Sequence, residues 1–113
     1  MTTEQAARQN DPIARVWHGT VPTTKANAYA NYIRSTGLTD YRGTPGNRGA
    51  FLLQRQEGDV THFLTISIWD SIEAIKQFAG DDYEKARYYG NDKEYLLEFE
   101  PHVLHYTVVA VEE

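Results

Sequence analysis

The sequence of 113 residues contains no cysteine. Disulfide staples, thiol nucleophiles and thiolate metal sites are therefore excluded together, and the composition is compatible with a reducing cytoplasm, the expected location. No apolar run approaches the roughly 20 residues needed to cross a bilayer as a helix. The opening MTTEQAARQND is polar and carries no signal-peptide pattern, so no membrane association is expected. Basic residues are sparse, 11 against 16 acidic ones, and scattered, with a formal net charge of −5. That balance argues against a nucleic-acid surface. Histidines number four, His18, His62, His102 and His105. His102 and His105 fall on opposite faces of a strand, and no spacing gathers three ligands, so no metal site is expected.

What is present suits one modest globular domain. Hydrophobic residues make up 41% and charged residues 24%, ordinary values for a soluble core with a solvated surface. Tyrosine dominates the aromatics with eight copies, side chains that can line a pocket or finish a small core. Residues 1–12 read as a disordered lead-in ended by Pro12, and residues 13–111 as a single domain.

The organising stretch is THFLTISIWDSIEAIKQFAGDDYEKARYY, from Thr61 to Tyr89. Thr61–Trp69 alternates as a strand whose two faces are both uncharged, so both need cover. Leu64, Ile66 and Ile68 are expected beneath the helices, with Phe63 and Trp69 on the opposite face. Asp70 is placed to cap a helix, with Glu73 completing a capping box. Ile72, Ile75, Phe78 and Ala79 mark the buried stripe of that helix and Gly80 ends it. Asp81 and Asp82 are expected to start a second helix through Tyr83, Ala86, Arg87 and Tyr88 to Gly90.

Elsewhere, Ile13–Thr20 is the first strand, with Arg15 and Trp17 on one face and Val16 and His18 on the other. Thr23 is the expected cap of a helix bearing Ala26, Tyr29, Ala30 and Ile33, ended by Gly37. Residues 39–48 read as a loop. Gly49–Gln56 pairs with the next strand through a turn at Glu57-Gly58-Asp59. Residues 91–99 read as a short helical or extended connector, and Glu100–Val111 as the last strand. The order β-α-β-β-α-(α)-β is the α+β, ferredoxin-like arrangement, an antiparallel sheet in spatial order 4-1-3-2 with its helices on one face. An apolar face left bare calls for a second copy of the sheet, giving a homodimer.

Ser67-Ile68-Trp69-Asp70-Ser71, Ile72-Glu73-Ala74-Ile75 and Phe78-Ala79-Gly80 resemble the antibiotic biosynthesis monooxygenase superfamily. Within it the chain is similar to a largely uncharacterised branch, through Pro45-Gly46-Asn47, Thr61-His62-Phe63, Trp69-Asp70-Ser71, Tyr88-Tyr89, Glu100-Pro101 and His105-Tyr106. The likeness covers roughly residues 13–109. It implies a dimeric α+β barrel. It also implies a cofactor-independent monooxygenase-like activity on a small aromatic or quinol-type molecule, whose anion supplies the electron to oxygen.

The candidate catalytic residues are then His62, Trp69, Arg87 and His105. Trp17, His18, Asn47, Phe78, Tyr83 and Tyr88 are the candidate ligand-binding set. His62 or His105 would serve as a base, or as hydrogen-bonded core or rim residues; Arg87 as an anion partner, or in a surface pair with Glu84 or Tyr83. Trp69 suits either pocket or core. Two other readings stand beside this one: a non-catalytic ligand-binding or stress-associated dimer, and a haem-binding protein. Against haem-degrading relatives, Phe78 stands where they have a helical tryptophan. Arg87 or Tyr88 stands at their iron-binding histidine, and the first strand offers no asparagine. Tyrosine can still ligate haem iron.

Overall fold

The computed structural model describes residues 11–112. Most of the expected disordered lead-in lies outside the described residues. Pro12 is described, and its carbonyl accepts the N–H of Val108 at 2.8 Å. Four strands form one antiparallel sheet: β1 (Ile13–Pro22), β2 (Asn47–Glu57), β3 (Val60–Trp69) and β4 (Leu104–Thr107). Their order across the sheet is β2-β3-β1-β4, as the crossover rule requires. Three helices, α1 (Ala26–Ser35), α2 (Gly37–Gly43) and α3 (Ile72–Ala79), complete the ferredoxin-like α+β fold. None of the described helices is long and apolar enough to cross a membrane.

Register assigns every strand residue to a face. Ala50, Ser67, Arg15 and His105 form one row across the sheet, and Leu52, Thr65 and Trp17 the next. This is the face beneath the helices, where Phe63 and Trp69 are both 0% exposed. The expectation for β3 is thus reversed: the Leu64, Ile66 and Ile68 side is the one the helices leave uncovered. The reason lies in the polar tips of the aromatics. Trp69 Nε1 donates to Ser67 Oγ at 2.8 Å, and the Tyr41 hydroxyl bonds Thr65 Oγ1 at 3.0 Å. Buried Trp and Tyr need such partners, and a row of Leu and Ile has none to offer. The small Thr and Ser side chains also leave room for the large rings of Tyr29, Tyr41 and Phe78.

Several boundaries shift. Thr23 does not cap α1; it lies in a 3₁₀ turn, and its hydroxyl donates to the carbonyl of Gly58 at 3.1 Å. Gly37 opens α2, a helix the turn-rich composition of residues 39–48 hid. Ser71, not Asp70, caps α3: its Oγ accepts the N–H of Ala74 at 3.1 Å. Asp70 instead pairs with Arg48 at 2.5 Å. Gly80 closes α3 with φ of 85°. Gly46, at φ of 89°, packs so close to α3 that an added Cβ would lie 2.5 Å from that of Ala74.

The expected helix from Asp81 is absent. Residues 81–91 run irregularly and are held by distant partners: Ala86 N–H to Pro101 at 2.9 Å, Val103 N–H to Glu84 at 2.9 Å, and a bridge between Lys85 and His102. The last strand is correspondingly short, four residues rather than the expected run from Glu100 to Val111. Residues 91–99 contain one 3₁₀ turn, Asp92–Glu94. Asp92, 4% exposed, anchors it by accepting from the Tyr29 hydroxyl at 2.8 Å and from the Tyr89 N–H at 2.6 Å.

Candidate functional site

A cleft opens between the inner face of the sheet, the α1–α2 junction and residues 87–92. β1 contributes Arg15 and Trp17, which alternation places side by side on that face. Gly19, two residues on, gives the Trp17 ring its place; a Cβ there would lie 2.4 Å from the ring. Trp17 Nε1 donates to the Tyr88 hydroxyl at 3.4 Å, and that hydroxyl donates to the Glu100 carbonyl at 2.6 Å. Ile33, Thr36 and Gly37 form the helical wall, and Tyr29, Tyr41, Tyr89 and Asp92 the remaining polar lining.

Arg15 is the unusual feature. It is 2% exposed; its guanidinium donates from NH2 to the Lys85 carbonyl at 3.0 Å and also interacts with the Tyr41 hydroxyl. Its Nε is buried and has no partner among the described residues. Burial lowers its pKa from the ordinary arginine value; Tyr41 opposes that shift and the nearby positive Arg87 reinforces it. Arg87 donates to the Phe78 carbonyl at 2.8 Å and lies 3.5 Å from Asp40. Both guanidiniums sit over the Phe78 ring, Arg15 at 5.4 Å and Arg87 at 4.8 Å from its centroid. The cleft thus sets buried Arg15 and partly exposed Arg87 among tyrosine hydroxyls and the carboxylates of Asp92 and Asp40, and the unpartnered Nε of Arg15 is the feature suited to a small anion.

The tyrosines themselves are held protonated. Burial first, then hydrogen bonding to Asp92, raises the Tyr29 pKa far above the usual phenol value; Tyr89 is raised in the same way, with Asp40 as its acceptor. Burial also raises Tyr88. They act as hydrogen-bond donors in the neutral range, not as bases. The free volume is about 30 Å³. A water needs roughly 10–15 Å³ on that measure, so the cleft as it stands admits about two or three waters. A flat aromatic ligand requires the walls to part.

The expected site residues do not converge on one place. Trp17, Arg87 and Tyr88 line the cleft. Trp69 and Phe78 belong to the packed cluster beneath it with Tyr41 and Ile75. His105 shares the inner face with Arg15 in register, and its ring meets the Tyr83 ring edge-on at 5.2 Å, but neither lines the cleft. His105 Nε2 is buried without a hydrogen-bond partner among the described residues, and burial, then the Arg15 charge, lower its pKa. Asn47 braces the bulged start of β2, donating to the Ile68 carbonyl at 3.2 Å. His18 and His62 lie on the opposite, uncovered face of the sheet. Arg15, Tyr41 and Tyr89 join the site without having been singled out from the sequence. The available signal for Arg15 was a charge in the same alternating register as Trp17.

At the level of sequence, no family model and no curated protein matches the chain. Solved structures do. A candidate antibiotic biosynthesis monooxygenase from Bacillus cereus superposes with a TM-score of 0.63 at 15% identity, covering 91% of this chain and 98% of its own. The fold is that of the antibiotic biosynthesis monooxygenases. A second candidate monooxygenase, from Nitrosomonas europaea, gives a TM-score of 0.62 at 16% identity, over 91% and 94% of the two chains. SnoaB from Streptomyces nogalater, a cofactor-independent oxygenase, gives 0.53 at 14% identity, over 91% and 96%. Identity this low carries the monooxygenase-type architecture and not the reaction.

Proposed function

We propose that the chain is a cofactor-independent monooxygenase-like protein that takes a small phenolic or enolisable aromatic molecule as its anion. The observation that carries this reading is the pairing of buried, under-partnered Arg15 with Arg87 over Phe78 in the cleft. Buried Arg15, with the more exposed Arg87 at the cleft's edge, stabilises an enolate or phenolate and so acidifies the bound molecule. Its proton leaves to water. The anion gives one electron to dioxygen, the resulting radicals combine, and loss of water converts a ring CH₂ and O₂ into C=O and H₂O. The Tyr29 and Tyr89 hydroxyls are committed to Asp92 and Asp40 and hold the polar wall in place, so the guanidiniums are the donors to the developing oxyanion. Trp17 supplies a flat wall. The shared fold with a cofactor-independent oxygenase is consistent with this chemistry.

Oxygen consumption with a panel of anthrones and quinols tests the reading. Turnover that falls at least tenfold in Arg15→Gln and Arg87→Gln supports it. No oxygen uptake, together with ligand-dependent rises in melting temperature, would favour the second reading, a ligand-binding protein without turnover. The small free volume is the observation on that side. The haem reading gains no support from the site: the Tyr88 hydroxyl is committed to the Glu100 carbonyl, and the cleft has no room for a macrocycle.

The same reading includes a homodimer in the cytoplasm. The uncovered face carries the row Phe51, Ile66, Val16 and Leu104 across all four strands, flanked by Leu53, Leu64, Ile68 and Tyr106. Phe51, Leu53, Leu104 and Tyr106 are all large and exposed. The ten residues before Asp11 offer only Met1, Ala6 and Ala7 as apolar cover. A second copy of the face brings an equal apolar surface, which favours it as the occupant.

A further inference from the structure

His18 and His62 take no part in the cleft, and their geometry is specific. His18 Nε2 lies 2.9 Å from His62 Nδ1, with the ring planes 27° apart. The outer nitrogens each meet a carboxylate: His18 Nδ1 to Glu100 at 2.5 Å and His62 Nε2 to Glu57 at 3.0 Å. Arg55, paired in register with His62, lies 3.6 Å from Glu57. A hollow of about 300 Å³ adjoins the pair, walled by Leu53, Leu64 and Arg55 on the uncovered face.

Proton counting limits the states of this chain. Each ionised carboxylate requires an N–H on the ring nitrogen that faces it. The contact between the two rings then requires one further proton, on one of the two facing nitrogens. The geometry is satisfied by one imidazole and one imidazolium sharing a proton. A second imidazolium would set N–H against N–H. Two neutral rings would set lone pair against lone pair, or turn a lone pair toward a carboxylate. With one shared proton, Glu57 and Glu100 are balanced by Arg55 and the pair, and the patch is neutral. Across the four strands the titratable groups on this face are His18, His62, Arg55, Glu57 and, four residues along from His18 in register, Tyr106.

We propose that His18 and His62 form a shared-proton pair that makes closure of this face onto a second copy of the chain dependent on pH, an inference that rests on the self-association proposed above. A neutral, internally bonded patch enters an apolar interface at little cost. Removing the shared proton buries a negative charge, and adding another breaks the ring–ring bond and leaves a positive one. Association is strongest in the pH range where the pair holds its single shared proton and weakens on both sides of it. A two-fold interface doubles the effect, because each copy brings one pair.

Sedimentation of the full chain at constant ionic strength, at about pH 5, 6.5 and 8.5, provides the test. The dimer is expected to weaken at least tenfold at both extremes. Long-range ¹⁵N–¹H spectra of the imidazoles should show the two histidines titrating in separated steps. In Glu100→Gln the neutral patch no longer needs the shared proton, so the optimum moves to higher pH and the alkaline weakening disappears. His62→Gln should dimerise without a maximum. A dimer insensitive to pH, or histidines that titrate together in one unsplit step, overturns the shared-proton pair while leaving self-association standing. A folded monomer at every pH overturns both.

Discussion

Replacing Arg15 by methionine separates a binding guanidinium from a structural one. The side chain is 2% exposed, with a hydrogen bond to the Lys85 carbonyl and a cation–π contact at 5.4 Å to Phe78. Exchanging a buried charge for an apolar side chain of similar volume is often neutral or stabilising, by about 1–4 kcal/mol. Loss of the charged bond to Lys85 costs roughly 1.5–3 kcal/mol, and loss of the cation–π contact about 0.5–1 kcal/mol. Gain and cost nearly cancel, so the melting temperature should stay within roughly 5 °C of the parent's. Urea titration with an unchanged slope measures the balance. The same variant should lose affinity for phenolate and enolate ligands at least tenfold. Little change in stability together with that loss of affinity is the outcome expected of a guanidinium kept for a ligand. Destabilisation of about 3 kcal/mol or more would refute the reasoning, since that is the cost of breaking a well-compensated buried ion.

Three further outcomes follow from the fold. Ser71→Ala should cost about 1 kcal/mol through loss of the α3 cap, whereas Asp70→Ala, which removes only an exposed pair with Arg48, should stay within about 0.5 kcal/mol in the same denaturation assay. Gly46→Ala should cost about 2–4 kcal/mol, because φ is positive there and the new methyl meets Ala74; a loss below about 1 kcal/mol would mean that α3 moves away freely. His105 has a folded pKa below its unfolded value, so the unfolded chain takes up its proton first as pH falls. Its contribution is complete above the unfolded pKa of about 6.5 and is lost as pH falls toward the folded value, with a slope of at most about 1.4 kcal/mol per pH unit. His105→Gln should remove that slope from the stability–pH curve; an unchanged curve would show that His105 is not its source.

Local pattern reaches a long way in this chain. The four strands, the α3 stripe of Ile75 and Phe78, the hairpin turn at Gly58 and the spatial order of the sheet are all written in alternation, punctuation and crossover handedness. The region from Asp81 to Gly90 misleads because its helical spacing is overruled by long-range bonds to Pro101, Val103 and His102. The turn-rich stretch after Gly37 misleads in the opposite sense, since α2 is packed against Trp69 and Phe78 through Tyr41, and local propensity does not register that packing.

The sequence by itself determined the element order and which residues share a side of each strand, because both are consequences of backbone period and turn chemistry. It did not determine which side of β3 faces inward. Both sides are uncharged, and alternation divides residues into two sets without saying which set meets the helices. Only the folded sheet decides that, by supplying Ser67 and Thr65 as partners for the polar tips of Trp69 and Tyr41. Only the folded chain brings Arg15 beside Arg87 and His18 against His62, because proximity between distant segments is set by strand pairing and packing.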